Sequence, residues 1–590
     1  MQPARQRYQG APVRPRHRRG GNGRTGEYPL NNTSIRVIRG AVAGNWFDSF
    51  LHVADSIYRF ERPRQFSPVV ETATREMKYL AHNPGVWSEK MRVITSFPRR
   101  DYVYVLYGLA YSIPALYSWY RMSDDRSALE RAEGSVRWLL EYPGVRVTTG
   151  PLAGAFYSQY VAPDMDGRPL YDAPVQSPMA GIGGGDQADN RWIEPHATGA
   201  AVCTLLHYYV ASGKQDQRAL AAATNGLDWL MRIQKSNGGW IYAYHDDGRP
   251  VTDEEDSGNI WNIWALWRYS SLTGEKQSQQ AAERGRDWFA QKFLSQHIGR
   301  GYWEDVSGAR GRVRLSWESY ELALAAVVLD EMGARDLALE AARNAVTWIW
   351  TRTVACREYF NSYGHAHEQW GWPPATYVAP MFGLAAQAAY RISGDERFRR
   401  FAGAAKTPGW WVVRNTASGV WPAEANAQEL GGAIWPLEAT EFVPLEEPFT
   451  ITYWVDWISA QQGSICFRWL LNEVTRRTGG KIQVDAASLS GTVLDEPGQV
   501  YFRPEEINIR ATHDQVNWLG YRSAKSDTLV ILNDHDPVTV EVEFRTSAKG
   551  NAKVLSTNDG KEWNSNASHI GSKLSVGIPQ NGCAVIVRER

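Results

Sequence analysis

The chain has 590 residues, with 64 Lys plus Arg set against 64 Asp plus Glu, so its formal net charge is zero. That balance gives no global pull toward nucleic acid or an anionic membrane. No apolar run reaches the 18 or more residues of a membrane-spanning helix.

The length calls for more than one domain or one large core. The 26 Trp and 28 Tyr supply aromatic surface for helix packing or for stacking on the flat apolar faces of ligands such as sugars. Four cysteines, Cys203, Cys356, Cys466 and Cys583, show no CxxC or metal spacing and read as free thiols, which favours a reducing compartment.

Residues 1 to about 26 hold seven arginines and no acid before Glu27. This is the composition of a disordered basic arm, and we set its end at residue 30. It lacks the apolar segment of a secretory leader. The expected location is therefore the cytoplasm, or export under a leader that this sequence does not carry. Phe50 to Phe60 and Phe66 to Leu80 have apolar residues at helical spacing. Asp101 to Arg121 is apolar nearly throughout, as in a helix buried on all sides. Ser127 to Tyr142 is amphipathic. The following stretch, through GIGGGDQADNRW, is a loop; it lacks the Lys-Ser/Thr pair and the strand-to-helix context of a phosphate cradle.

A repeat then sets in. ASGKQDQ, LTGEKQS, EMGARDL and ISGDERF each end one helical run and begin another, and their glycines, Gly213, Gly274, Gly333 and Gly394, are 61, 59 and 61 residues apart. Trp229, Trp288, Trp348 and Trp410 follow at similar offsets. Glycine fits a helix C-terminus that enters the left-handed region. A unit of about sixty residues with one such turn is a helical hairpin. Buried-type helices start near 101, 195, 257, 316, 375 and 455, and six amphipathic partners are found if Phe66 to Leu80 is included. The count predicts an (α/α)6 toroid of helical hairpins over residues 31–480. Beyond Gly480, Val538, Val540, Val542 and Phe544 alternate with polar residues as in a half-buried strand. Asp559-Gly560 marks a hairpin turn. Residues 481–590 are predicted to form an antiparallel β-domain, a small sandwich.

In such a ring the loops entering the inner helices meet at one mouth, and here those loops carry the chemistry. The first, NRWIEPH, brings Asn190, Arg191, Trp192 and His196. The loop of residues 238–259 brings Trp240, Tyr242, Tyr244, His245 and Asn259, and that of 301–320 brings Trp303, Trp317 and Glu318. YFNSYGHAHEQWGW (359–372) brings Asn361, Tyr363, His365, His367, Glu368, Trp370 and Trp372. The Pro373-Pro374 pair excludes helix just before it. Each feature also has a plainer account. The tryptophans can cover the ends of helices, Asp253 to Asp256 can be a solvated charge run, and Glu318 can cap its own helix. His207, inside a buried helix, reads as a core residue.

A six-hairpin toroid with Trp-rich mouth loops and a following β-domain resembles the polysaccharide lyases and glycoside hydrolases of the α/α-toroid type. The resemblance spans roughly residues 45–590 and identifies no single family. It implies a polysaccharide or oligosaccharide substrate, and no nucleic acid, membrane or obligatory cofactor is expected. For a lyase cleaving a uronic-acid glycan by β-elimination, it implies Tyr and His as acid and base, with Asn, Arg, His or Glu neutralising the substrate carboxylate. Tyr363, His365, His196 and Glu318 are the catalytic candidates, and the remaining mouth residues are candidates for binding substrate.

Hydrolysis instead needs two acids flanking the bond, drawn from Glu194, Asp256, Glu304, Asp305, Glu318 and Glu368. His365, His367 and Glu368 together form a candidate divalent-metal site, resting on two histidines and a neighbouring carboxylate in one short loop. A glycan-binding protein without turnover is a further alternative. NGLDWLMRIQKSNGGW (225–240) also resembles the QW repeat of terpene cyclases, but it occurs once and without their Asp-rich motif.

Overall fold

The computed structural model describes residues 27–30, 33–36, 77–95 except 79, 102–161, 193–294 except 252 and 254, 305–307, 312–314, 318–353, 378–399, 467–479, 499–500 and, with short gaps, 506–590. The helices in chain order are α1 (Ala110–Ser123), α2 (Arg126–Glu141), α3 (Pro195–Ala211), α4 (Gln217–Ile233), α5 (Ile260–Thr273), α6 (Lys276–Phe289), α7 (Glu318–Glu331), α8 (Arg335–Thr353), α9 (Val378–Ser393) and α10 (residues 467–477). They alternate in character. α3 and α5 are buried nearly all round, whereas α4 buries the stripe Ala219, Ala222, Ala223, Gly226 and Trp229, and α6 buries Ala281, Ala282, Gly285 and Trp288. The narrow stripes belong to helices with one wet face, and the all-round burial belongs to helices with none.

The buried helices pack side by side in the order α1, α3, α5, α7, α9. Gln387 of α9 donates to Trp469 O at 3.2 Å and to Glu473 Oε1 at 3.0 Å, which attaches α10. Phe467 of α10 meets Trp119 of α1 edge-on at 5.9 Å, and the Arg468 guanidinium lies 5.8 Å from the centre of the Tyr111 ring. Among the described residues, six inner helices thus close on themselves. Inside the ring, Arg268 of α5 makes a two-pronged pair with Glu331 of α7 at 3.1 Å on both prongs. Trp264 lies 3.9 Å from that guanidinium and donates its indole N–H to the same carboxylate. This aligns α5 against α7 in one register.

Gly213, Gly274, Gly333 and Gly394 all adopt positive φ, between 69° and 78°, as the repeat predicts. An acid caps the next helix after three of these turns. Asp216 accepts from Arg218 N, Glu275 from Gln277 N and Ser278 N, and Asp395 from Arg397 N. Each carboxylate satisfies otherwise orphaned N–H groups at the positive end of a helix. Cys203 and Cys583 are buried free thiols, while Cys356 and Cys466 lie outside the described residues. No described helix is long and apolar enough to cross a membrane.

Short ribbons β1–β2 (Glu27–Leu30, Thr33–Arg36), β3–β4 (Trp87–Ser88, Val93–Ile94), β5–β6 (Tyr102–Tyr104, Gln159–Val161) and β7–β8 (Asp305–Ser307, Arg312–Arg314) decorate the loops. The strand at 27–30 falls within the last residues of the expected disordered arm, the remainder of which lies outside the described residues.

The C-terminal strands are β9 (Gln499–Val500), β10 (Ile507–Ala511), β11 (Val516–Arg522), β12 (Ser526–Asn533), β13 (Val538–Phe544), β14 (Ala552–Asn558), β15 (Trp563–Asn564), β16 (Ala567–Ile570), β17 (Lys573–Ile578) and β18 (Gly582–Glu589). They form two antiparallel sheets, ordered β10-β13-β17-β16 and β15-β14-β18-β12-β11-β9. Val538, Val540 and Val542 are buried and Thr539 and Glu541 exposed, the alternation read from the sequence. β14 and β15 pair across the predicted Asp559-Gly560 turn. One apolar cluster draws on both sheets, with Val540, Val542, Val576, Ile531 and Ile586 among its members.

The strands also grip α10. Arg477, 1% exposed, donates to Glu473 at 2.7 Å and to the carbonyl of Asn533 at 3.0 Å, and the Cys583 thiol lies 3.1 Å from the Arg477 carbonyl.

Two glycines separate close packing from turn geometry. A Cβ at Gly199 would lie 2.7 Å from the backbone N of Asn262 and the carbonyl carbon of Trp261, where α3 meets α5; one at Gly274 meets nothing within 4 Å. Gly199→Ala is expected to destabilise by about 3 kcal/mol or more through overpacking, and Gly274→Ala by about 1 kcal/mol through its left-handed backbone. Urea unfolding of the two variants checks this, and equal midpoints would contradict the close approach of α3 and α5.

Candidate functional site

The loop entering α5 is laced to the loop entering α3. Ile193 and Tyr244 exchange two backbone hydrogen bonds, of 2.9 and 3.0 Å, and Ile241 bridges Glu255 while Tyr244 bridges Pro250. Along this stretch Ile241 and Ala243 face inward while Tyr242 and Tyr244 are half-buried, the two-residue alternation of extended chain. The lacing gathers Glu194, His196, Tyr242 and Asp256 at the N-terminal rim of the inner helices.

His196 is the second residue of α3, after Pro195, and is buried at 5% exposure. Its Nε2 stands 3.5 Å from Glu194 Oε2 and its Nδ1 stands 3.7 Å from Asp256 Oδ1. Nδ1 is buried and has no hydrogen-bond partner. The Tyr242 hydroxyl lies 3.3 Å from Glu194 Oε1 and its ring 6.4 Å from the imidazole. Asp256 Oδ1 accepts from Gly258 N at 2.7 Å. Gly258 leaves room for this arrangement, since a Cβ there would lie 3.2 Å from the His196 ring. The imidazole thus stands between two carboxylates at the N-terminal rim of the inner helices.

Glu255 anchors the strand next to this group. Its Oε1 accepts from Asn237 Nδ2 and Lys235 Nζ at 2.8 Å each, and its Oε2 accepts from Trp288 Nε1 at 2.8 Å and Lys292 Nζ at 2.9 Å. Burial pushes this carboxyl up, but the four donors outweigh burial and bring it down to about 2. The 253–256 acids, readable as a solvated charge run, therefore include two buried members, Glu255 and Asp256.

Of the other predicted site residues, Trp240 is fully buried. It donates its indole N–H to the Leu230 carbonyl at 2.8 Å and meets Trp288 edge-on at 6.0 Å. Asn259 is fully buried as well, donating to Trp240 O and Asp256 O and accepting from Asn262. Both face the interior and support the rim from beneath. Tyr244 packs against Trp229, with its hydroxyl pushed up to about 12 by burial, and His245 opens the turn closed by Arg249. Glu318 is the first residue of α7. Asn190, Arg191, Trp192, Trp303, Trp317, Asn361, Tyr363, His365, His367, Glu368, Trp370 and Trp372 lie outside the described residues. His207 is buried in the ring, where burial and then Arg268 and Arg468 lower it to about 3. Among the described residues, no group of three His, Cys, Asp or Glu side chains is arranged to hold a metal ion.

No protein-family model matches the chain, and no curated protein matches it in sequence. Solved structures do resemble it. One is a cellobiose 2-epimerase from Spirochaeta thermophila, 13% identical, covering 73% of this chain and 100% of its own, with a TM-score of 0.42. A family 76 α-mannanase from Bacteroides thetaiotaomicron is 12% identical, covering 72% and 99%, with a TM-score of 0.42. A D-mannose isomerase is 12% identical, covering 57% and 84%, with a TM-score of 0.42.

The Glu255 carboxyl is held below its ordinary value, so its stabilising effect is complete above the unfolded value near 4.5 and is lost as pH falls toward about 2. Glu255→Gln should lower the melting temperature at pH 7 by about 1–3 °C. The gap to wild type should close progressively below pH 4.5, as scanning calorimetry across pH would record. A gap that stays constant with pH contradicts the four-donor clamp.

Proposed function

We propose that this chain is a glycan-active enzyme driven by proton transfer at His196, and that its reaction is β-elimination from a uronic-acid-containing polysaccharide. The observation that carries the reading is the buried, unpartnered Nδ1 of an imidazole flanked on both sides by carboxylates at the ring's loop-rich rim. In the elimination, His196 takes the proton from the carbon next to the sugar carboxylate. The carbon–oxygen bond to the leaving sugar breaks as a carbon–carbon double bond forms, and an acid protonates the departing oxygen. Asp256 stabilises the imidazolium. The Tyr242 hydroxyl, already beside Glu194, is a candidate proton donor to the leaving oxygen.

The sequence adds Asn190 and Arg191 to neutralise the substrate carboxylate, with Arg able to do so in two-pronged fashion. It also offers Tyr363 and His365 as further acid–base groups and Glu318 from the start of α7. His367 and Glu368, with His365, would supply the ligands of a divalent ion bound at that carboxylate. The tryptophans of the same loops supply flat surfaces for sugar rings.

Hydrolysis is the second reading, favoured by one feature: Glu194 and Asp256 stand on opposite sides of His196, and a pair of acids across the scissile bond is what hydrolysis requires. Elimination is preferred because the imidazole occupies the space between those acids, where an inverting hydrolase would seat its water.

Incubation with a panel of uronic-acid polysaccharides separates the readings. Rising ultraviolet absorbance of an unsaturated product marks elimination, and new reducing ends without it mark hydrolysis. Absence of turnover on every glycan, with binding retained, leaves a binding protein. His196→Ala should reduce turnover by at least about 10³-fold with unchanged circular dichroism, and Asp256→Asn by about 10²-fold. Wild-type rates in both variants would remove the His196 site from the mechanism.

A further inference from the structure

Glu255 precedes Asp256 and has no role in the proton transfers above. A carboxylate offers about four lone-pair positions, and the four donors to Glu255 occupy them, leaving none for a substrate. Those donors converge from separate places. Lys235 and Asn237 belong to the turn after α4, Trp288 to the outer helix α6, and Lys292 to the π-turn that follows it. The Glu255 backbone bridges Ile241, so the clamp fixes the extended segment from which Asp256 projects. Asp256 in turn holds Gly258 N at 2.7 Å, and Gly258 lies against the His196 ring. A continuous set of contacts therefore runs from an outer helix to the imidazole.

We propose that Glu255 is a positioning residue of the His196 site, the anchor through which α6 sets the spacing between Asp256 and the imidazole. The proposal rests on the reading of His196 as the proton-transferring group. Its physical basis is that Glu255→Gln removes the negative charge and turns an amide NH2 toward donors. Two lysines, the Asn237 amide and an indole N–H then compete for a single acceptor oxygen. The lysines lie toward solvent, with side chains 41% and 36% exposed, and are free to leave. The 253–258 segment is then released, and Asp256 departs from its place 3.7 Å from Nδ1.

The first test needs no substrate. In the full chain labelled with 15N-histidine, the His196 ring signals are assigned by their loss in His196→Ala. Glu255→Gln should shift or broaden them while the His207 signals stay in place. Lys292→Met, which removes one donor on the solvent side and leaves the core intact, should produce a smaller shift in the same direction. His196 signals that coincide with wild type in both variants overturn the proposal.

The second test is kinetic, on whichever uronic-acid polysaccharide of the panel the wild type cleaves. Glu255→Gln should lower kcat by about tenfold, in the range of residues that orient a reacting group, with KM within about a factor of two. The double variant with Asp256→Asn should be no slower than Asp256→Asn alone, because Glu255 acts through Asp256. Effects that multiply overturn the positioning role. Unchanged turnover in His196→Ala overturns the reading of the site itself. Lost turnover there, together with wild-type kcat in Glu255→Gln, overturns only the anchor.

Discussion

The inner helices touch one another on two sides and an outer helix on a third, and this constraint orders the rest of the molecule. A helix in that position has no face for water, so its sequence must be apolar around its whole circumference, as α3 and α5 are. Polar side chains that enter the ring must bring partners, and Arg268 enters with Glu331 and the Trp264 ring. Isolated ionisable groups there are held neutral, as His207 is by burial and neighbouring guanidinium groups. Chemistry is displaced to the ends of the helices. One end is spent on tight glycine turns and acidic caps, and among the described residues the longer connecting stretch, 234–259, lies at the opposite rim.

At that rim the site is built from backbone register more than from side-chain packing. The Ile193–Tyr244 and Ile241–Glu255 pairings decide which residues face His196 and which face inward. Shifting either pairing by one residue would exchange Tyr242 for Ala243, or Asp256 for Glu255. Trp240 and Asn259 form the underside of this arrangement. Their hydrogen bonds to the Leu230 and Asp256 carbonyls hold the loop against the ring.

The fold was largely legible in the sequence because its governing signals are local. A glycine with positive φ and an acid that caps the following helix both act within a few residues, and their sixty-residue recurrence exposes the hairpins. The alternation of Val538, Val540 and Val542 is equally local. The site was legible only in part. His196 stood out by residue type and by its place before an apolar helix. Among the consecutive acids 253–256, nothing in the sequence distinguishes the buried Glu255, since its donors Trp288 and Lys292 lie 33 and 37 residues away. The aromatic label misled at Trp240, where the indole serves the core. Four residues of extended chain look alike until tertiary partners choose among them.

The contact between α10 and the C-terminal strands bears on how this protein can be divided. Arg477 sits in the last turn of the helix that closes the ring, and one of its acceptors is a carbonyl of β12. Without the strands, a buried guanidinium would lose that acceptor, and the Arg477 carbonyl would lose the thiol of Cys583. The C-terminal strands thus buttress α10, the last described inner helix of the ring. A cut between the two parts would strip those two partners from the helix that adjoins α9 and α1 on either side.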